Sequence, residues 1–296
     1  MESLHPIETT QDPKRQAPVT VYTPESQLRS PRRLVRLMWH DLRASRELAW
    51  CLMVRDISAH YRQSALGMLW AVLPPVATAI LFIVLNREAV INIRTTDIPY
   101  PVFVMFGVML WQLFIESLNA PLKVLTGSKS MLAKINFPRE ALILSSIGQV
   151  LFDLGIKLLI LAVVFAVFGL SPTWGLLLAP FAILMLMLLG IMIGLLLAPF
   201  GVLYTDVASA LSTITGLWFF VTPVVYPSPE RWPYSLLVHL NPVSPLLVGA
   251  RDLATRGTLS DVVPFAIVSG LTVLGLSVMW VLYRVSLPIL IERMSA

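Results

Sequence analysis

The feature that most restricts the fold is a long stretch without charge. No residue between Lys157 and Asp206 is charged, and most are aliphatic or aromatic. A helix crosses the hydrocarbon of a bilayer with about 20 such residues, so the stretch is too long for one crossing and fits two. Glycine, serine and proline at residues 169–175 mark the turn between them. The sequence therefore predicts an α-helical integral membrane protein.

The overall composition agrees with this class. Hydrophobic residues make up 56% of the 296 residues and charged residues 13%, whereas a soluble domain carries about 25% charge. The single cysteine, Cys51, excludes an internal disulfide. The net charge of +5 does not indicate nucleic-acid binding, because the placement of the basic residues matters more than their sum.

Six apolar segments are predicted to span the membrane, at about residues 65–85, 98–115, 141–169, 176–203, 207–225 and 262–283. Together they form a predicted transmembrane domain over residues 64–285, with a cytoplasmic tail at residues 286–296. Residues 1–30 are polar and rich in proline, which predicts a disordered cytoplasmic tail.

The distribution of lysine and arginine predicts the orientation. With six spans both ends lie on one side, and that side receives most of the 22 lysines and arginines. The opposite side receives Arg87, Arg94, Arg231, Arg251 and Arg256. Because cytoplasmic loops carry the excess of positive charge, both termini are predicted to be cytoplasmic.

Two segments outside the spans are predicted to be amphipathic helices. Residues 31–63 mix arginines with apolar residues at helical spacing and contain Trp39 and Trp50, as helices lying on a membrane surface do. Residues 117–138 combine three lysines with an apolar side, and could form a short cytoplasmic helix on which a soluble motor pushes. A soluble surface helix and an ordinary interfacial loop helix are the respective alternatives.

The loop between the fifth and sixth spans, residues 226–261, is rich in proline. It contains two apolar stretches, residues 234–240 and 245–253, each too short to span the membrane. We predict re-entrant or interfacial helices that could close the outer mouth of a pore. An ordinary extracellular loop is the alternative.

Two charges fall near the middle of the third span. Asp153 and Lys157 are four residues apart, so they share a helix face and are predicted to pair. A lone charge at this depth costs about 2.5–3.5 kcal/mol on insertion scales. We interpret the two residues as a structural pair; a polar point on a transport pathway and a proton relay are the alternatives.

Aromatic residues are frequent in and near the spans. The C–H faces of sugar rings stack on aromatic planes, so an aromatic-lined channel would suit a glycan, although most membrane proteins carry aromatic belts. The candidates for a channel lining are Trp70, Phe106, Trp111, Trp218, Phe219, Phe220 and Tyr226.

Signatures of catalysis are missing from the sequence. All four histidines lie outside the predicted spans, and no cluster of cysteine and histidine has the spacing of a metal site. Residues 127–130 (GSKS) lack the upstream glycine of a phosphate-binding loop. We therefore expect no catalytic residue, metal or other cofactor in this chain, and if ATP is used it is hydrolysed on another chain.

Several of these segments resemble the permease subunits of type-2 ABC exporters, which move O-antigen, capsular polysaccharide or teichoic acid. The resemblance runs from about residue 34 to 283 and rests on residues 55–57 (RDI), 61–70 (YRQSALGMLW), 132–140 (LAKINFPRE), 222–227 (TPVVYP) and 240–242 (LNP). It implies an all-α integral membrane fold of six transmembrane helices. An N-terminal interfacial helix, a cytoplasmic coupling helix and short re-entrant helices between spans five and six complete that fold.

The resemblance also implies roles for individual residues. Coupling to an ATPase would involve Leu132, Lys134, Phe137, Pro138, Arg139 and Glu140. The substrate would enter at the membrane surface near Arg55, Asp56, Tyr61 and Arg62, where arginine suits phosphate. The external gate would contain Pro223, Asn241, Pro242 and Arg251.

The implied assembly is a homodimer in the bacterial inner membrane, with two ABC ATPase subunits that hold ATP and Mg²⁺. Its substrate would be a lipid-linked polysaccharide of the O-antigen type, usually on undecaprenyl pyrophosphate. A permease of the same fold that exports a drug or lipid is one alternative. An ion-coupled secondary transporter is another, and a membrane-embedded glycan enzyme is disfavoured by the missing catalytic cluster.

Overall fold

The computed structural model describes residues 31–62, 69–88, 98–134, 137–170, 173–229 and 232–295, with the single residues Val90, Ile93 and Thr96. All regular secondary structure in this part of the chain is helical. The helices are α1 (Pro31–Ala44), α2 (Arg46–Arg62), α3 (Leu69–Arg87), α4 (Tyr100–Gly127), α5 (Lys129–Lys134), α6 (Glu140–Val167), α7 (Ala179–Leu203), α8 (Asp206–Val221), α9 (Tyr234–Leu240), α10 (Val243–Thr255) and α11 (Val262–Ser295), with a 3₁₀ turn at Trp174–Leu177.

The chain divides into two units, residues 1–38 and 39–296. In the first unit the described residues begin at 31 and are helical, and the predicted disordered tail at residues 1–30 lies outside the described residues. The packing reported below is that of the second unit.

The predicted single interfacial helix at residues 31–63 consists of two helices, α1 and α2, that meet at Ser45. Backbone hydrogen bonds continue through the junction, from Ser45 N to Asp41 O at 2.8 Å and from Ala49 N to Ser45 O at 2.8 Å. The Ser45 hydroxyl donates to the same Asp41 carbonyl at 2.6 Å. Such a bond back to the preceding turn bends helices, which accounts for an interruption without proline or glycine. Trp39 and Trp50 are exposed.

The centre of the packing is formed by α4 and α7, which lie along each other and are mostly buried. Two glycines of α7 permit the close approach. A Cβ atom on Gly190 would lie 2.8 Å from the carbonyl oxygen of Phe114, and one on Gly194 would contact the carbonyl oxygen of Leu118. Small residues four apart allow membrane helices to pack backbone against backbone.

Around this centre, α6, α8 and α11 leave large apolar side chains exposed, among them Leu159, Val167, Leu217, Leu271 and Leu274. Four helical segments in the described residues are long and apolar enough to cross a membrane: Tyr100–Gly127, Glu140–Val167, Ala179–Leu203 and Val262–Ser286. The predicted first and fifth spans correspond to shorter apolar helices, Val72–Arg87 and Asp206–Val221. The fold is therefore all-helical with four candidate spans.

The predicted end of the second span at residue 115 falls inside helix α4. The helix continues through Glu116 and ends at Gly127, so only the short α5 is a separate helix within the segment predicted over residues 117–138. The Glu116 carboxylate has a buried cationic partner, described below.

Residues 286–295 of the predicted C-terminal tail are helical, because α11 runs without interruption to Ser295. Its 34 residues exceed the length needed to cross the hydrocarbon. The last turns of α11 therefore extend past the apolar segment that ends near Ser286.

The two short helices predicted in the loop between the fifth and sixth spans are present as α9 and α10. Helix α9 has the predicted bounds, whereas α10 begins at Val243 and ends at Thr255. Most of α10 is buried, and it packs against α7, α11 and the 3₁₀ turn. A short helix so enclosed is part of the core rather than a surface loop.

Candidate functional site

The four residues predicted for the external gate lie together between the end of α8 and α10. The Trp218 indole Nε1 donates to Asn241 Oδ1 at 2.9 Å, and the Asn241 amide donates to Thr222 Oγ1 at 2.8 Å. The same Asn241 oxygen accepts the Val243 N–H at 3.0 Å, which satisfies a free donor at the start of α10. Asn241 thus fixes the end of α8 to the start of α10, and Pro242 follows it directly.

Arg251 of α10 bonds to the backbone that follows α8 in the same region. Its side chain is 4% exposed, and Nη1 donates to the carbonyl oxygens of Pro223 at 3.3 Å and Val224 at 3.4 Å. The guanidinium carbon lies 3.8 Å from the centre of the Phe103 ring, a cation–π contact with α4. Burial lowers the pKa of Arg251 to about 10, so the side chain remains charged at neutral pH.

The neighbouring Asp252 was not predicted as a site residue. Its carboxylate accepts the Ser260 hydroxyl at 2.5 Å and the Ser260 N–H at 3.3 Å, and so connects α10 to the turn before α11. Burial raises the pKa of Asp252, and the Ser260 hydrogen bonds and Arg251 oppose that shift. An Arg–Asp dipeptide inside an apolar stretch was the sequence signal that could have identified it.

The predicted aromatic lining is divided between two places. Trp111, Trp218, Phe219 and Phe220 belong to one cluster, together with Phe82 and Phe114. Ring centres lie 5.8 Å apart for Trp111 and Phe219, and 5.4 Å apart for Phe114 and Trp218. Trp111 and Phe114 are buried, whereas Phe220 is exposed.

Of the other aromatic candidates, Phe106 lies apart from this cluster and Tyr226 lies at its edge. Phe106 pairs with Phe165, with ring centres 6.2 Å apart, at a separate apolar cavity of about 570 Å³. The Tyr226 hydroxyl donates to the Phe220 carbonyl oxygen at 2.7 Å, at the edge of the first cluster. The side chain of Trp70 lies outside the described residues.

The predicted coupling residues surround the start of α6. Leu132 of α5 is buried, and Phe137, Pro138 and Arg139 are half-buried. The Glu140 carboxylate forms an ion pair with Arg284 of α11 at 2.7 Å. The side chain of Lys134 lies outside the described residues. Sequence analysis did not predict the role of Arg284, because it lies 144 positions from Glu140.

A polar recess of about 340 Å³ lies between α2, α4 and α6. Arg55 and Asp56, two of the residues predicted where substrate enters, form an ion pair at 2.7 Å on its α2 side. Gln149 of α6 donates to the other Asp56 oxygen at 3.2 Å. The recess is also lined by the charged residues Glu116, Lys123 and Asp153. Arg62 is exposed at the end of α2, and the Tyr61 side chain lies outside the described residues.

The structure gives Lys157 a partner that sequence analysis did not identify. Its Nζ atom lies 2.5 Å from Oε2 of Glu116 on α4. The Lys157 side chain is 2% exposed. Since its long side chain reaches the neighbouring helix, the bond joins α4 to α6. The pairing of Lys157 with Asp153 stays a prediction. Asp153 lines the recess beside Glu116.

Metal ligands are not clustered in this part of the chain. Among the described residues, no group of three or more histidine, cysteine, aspartate or glutamate side chains is placed to hold a metal ion.

Comparison with known proteins matches residues 47–254 to the ABC-2 type transporter family. The chain is 28% identical over 247 residues to an O-antigen export system permease protein RfbA of Myxococcus xanthus, covering 81% of this chain and 92% of the relative. It is 26% identical over 235 residues to a protein of the same name from Klebsiella pneumoniae, covering 76% of this chain and 87% of the relative. The matched region includes α2 to α10 almost completely, and with it the clusters described above except the contacts made by Ser260 and Arg284. The chain belongs to the ABC-2 type transporter family.

Proposed function

We propose that this protein is the transmembrane subunit of an ATP-driven exporter that moves lipid-linked polysaccharide of the O-antigen type across the bacterial inner membrane. The observation that carries the proposal is the similarity to O-antigen export permeases over most of both chains. The chain itself would form the path, and ATP and Mg²⁺ would be bound by a partner subunit.

Six spans with both termini in the cytoplasm are part of this proposal. The four candidate spans account for α4, α6, α7 and α11, and the shorter apolar helices α3 and α8 supply the other two crossings. The excess of lysine and arginine on the side of the termini supports that orientation. Helices α9 and α10 would then lie at the outer face as a re-entrant pair, and α1 and α2 at the inner surface.

A homodimer with its channel beside α8 is the arrangement that the exposed surfaces favour. Only Leu211 and Thr215 of α8 are buried. Its exposed positions include the hydroxyl residues Ser209, Ser212 and Thr213 near one end and Phe220 near the other. In hydrocarbon a hydroxyl group finds a partner only within its own helix, as Thr213 does at the Ser209 carbonyl oxygen. Because three hydroxyl residues lie together on α8, we assign this face to a second copy and to the hydrated path between the copies. Trp218, Phe219 and Phe220 would contact the sugar rings.

The coupling segment, defined as α5 with residues 137–140, would receive the movement of the ATPase. It follows directly on α4 and opens α6, so displacement of the segment acts on two candidate spans at once. The gate cluster of Asn241, Arg251 and their partners would close the outer end, and the polar recess beside Arg55 and Asp56 would receive the phosphate-bearing part of the substrate.

Reconstitution tests the proposed function. The chain is purified with the ATPase that accompanies it, placed in proteoliposomes with lipid-linked O-antigen, and assayed for glycan that becomes accessible to an added lectin. We expect accessibility to require ATP and an ATPase with an intact phosphate-binding lysine. Transport driven by an ion gradient without ATPase, or export of a drug but not of glycan, would contradict the proposal.

A further inference from the structure

The C-terminal part of α11 carries an arginine that connects three helices. Arg284 donates from Nη1 to Oε1 of Glu140 at 2.7 Å and from Nη2 to Oδ2 of Asp41 at 2.6 Å. Glu140 is the first residue of α6, and Asp41 lies near the end of α1. The side chains of Arg284, Glu140 and Asp41 are 11%, 8% and 19% exposed, so water screens the two ion pairs only partly.

The residue before Arg284 contacts the same place. Tyr283 is buried, and its hydroxyl lies 3.4 Å from the carbonyl oxygen of Arg139, which it donates to. Helix α11 also packs against α5. Two consecutive side chains of α11 therefore hold residues 139–140, and the same helix contacts the other end of the coupling segment.

The ion pairs of Arg284 with Glu140 and Asp41 make it costly to separate these three side chains. A guanidinium presents several donors in a rigid fork, so one arginine binds two carboxylates at once, which the ammonium of lysine does less well. Without Arg284, Glu140 and Asp41 would face each other as two partly buried negative charges. Loss of one member of a buried ion pair costs more than the pair contributes, because the remaining charge is uncompensated. Asp41, Glu140 and Arg284 are therefore expected to move together.

We propose that Arg284 is a positioning residue that transmits movement of the coupling segment to α11 and α1. The inference rests on the proposed function, since it takes the coupling segment as the point where the ATPase acts. Displacement of Glu140 pulls on Arg284, and through it on the last membrane helix and on the surface helix at Asp41. The ATPase would thus act on α1 and α11, as well as on α4 and α6.

A charge exchange tests this role in the reconstituted complex. Arg284→Glu and Glu140→Arg each place like charges together, and the double variant restores one pair with the signs reversed. We expect each single variant to keep the ATPase bound and hydrolysing ATP, while glycan exported per ATP falls about tenfold, a usual size for coupling between sites. The double variant should return to within about threefold of the wild type, as a direct interaction requires.

Arg46→Glu is the matched control, since Arg46 is an exposed arginine of α2 and undergoes the same change of charge. It should leave export per ATP unchanged. Equal export per ATP in Arg284→Glu and the wild type would overturn the proposal. A double variant no better than the worse single variant would overturn it too, because the two side chains would then act independently.

Membrane insertion is measured for every variant by protease protection. If Arg284→Glu inserts poorly, Arg284→Gln is assayed instead, and it should show the same loss of export per ATP with normal binding of the ATPase. Failed insertion that the double exchange does not repair also contradicts the proposal. If the wild-type complex exports no glycan, the proposed function fails and this inference fails with it. If the wild type exports and Arg284→Glu equals it, only the role of Arg284 fails.

Discussion

Among single residues, the ammonium of Lys157 illustrates how a charge is accommodated in an apolar helix. Its contact with Glu116 neutralises both groups and joins α4 to α6. Sequence analysis identified Lys157 as a buried charge that needs a partner and proposed Asp153, because helix spacing indicates only partners that are close in sequence. Glu116 lies 41 positions away and was interpreted as the end of a span.

We predict that Lys157→Met is more harmful than the double change Lys157→Met with Glu116→Gln. The single change leaves the Glu116 carboxylate without its cation and should cost about 3 kcal/mol of stability. The double change removes both charges and should recover most of that loss. The midpoint of thermal unfolding in detergent measures both, with Arg87→Met, at an exposed arginine that ends α3, as the control. Equal midpoints for the single and double variants would show that the two side chains do not interact.

At the scale of helices, the close packing of α4 on α7 depends on the absence of side chains at Gly190 and Gly194. We predict that Gly194→Val separates the two helices, because the added methyl groups would overlap the backbone at Leu118. Overpacking of this kind costs about 1–3 kcal/mol. Gly155→Val is the matched control, since a Cβ at Gly155 of α6 meets no atom within 4 Å. A drop in thermal midpoint of similar size for both variants would contradict the prediction.

Helix positions were largely predictable, and helix ends were not. Hydropathy located α6, α7 and α8 to within a few residues, because the apolar stretches are long and end in polar turns. It ended the second span at residue 115, twelve residues before α4 ends, because Glu116 is charged and sequence spacing does not show its pairing with Lys157 of another helix. The candidate functional residues were likewise only partly predictable. The segments with a recognisable motif were found, whereas the junction of Asp41, Glu140 and Arg284 joins residues up to 243 positions apart, and spacing carries no information about it.

The coupling segment allows a second prediction at the scale of helices. Phe137 and Arg139 are half-buried and precede α6 directly. We predict that Phe137→Ala with Arg139→Ala weakens binding of the ATPase about tenfold or more, since aromatic and arginine side chains dominate binding interfaces. Pull-down of the ATPase from solubilised membranes measures the effect, and Lys123→Ala is the control. If the double variant inserts correctly and still recovers the ATPase normally, the coupling segment is not the docking site of the ATPase.

For the whole molecule, the question is which exposed faces meet lipid and which meet a second copy. Helices α6 and α11 expose mainly leucine, valine and isoleucine, as lipid-facing helices do. Helix α8 differs, because three exposed hydroxyl residues lie on it together with the exposed Phe220, whereas α11 has an exposed hydroxyl residue at Ser277. Two copies that met along α8 would enclose both kinds of side chain between them, with the five further proposed spans of each copy shielding the interior from lipid.

This arrangement predicts cross-links between copies at α8. Cys51 is the only native cysteine and is exposed, so Cys51→Ser provides the background. On it, Ser212→Cys should form an oxidised dimer in native membranes, because the same residue of the second copy faces it across the two-fold axis. Leu271→Cys on the exposed face of α11 is the matched control and should stay monomeric. The ratio of dimer to monomer on a non-reducing gel measures both. Cross-linking at residue 271 but not at residue 212 would place the second copy against α11, and the proposed channel beside α8 would have to be abandoned.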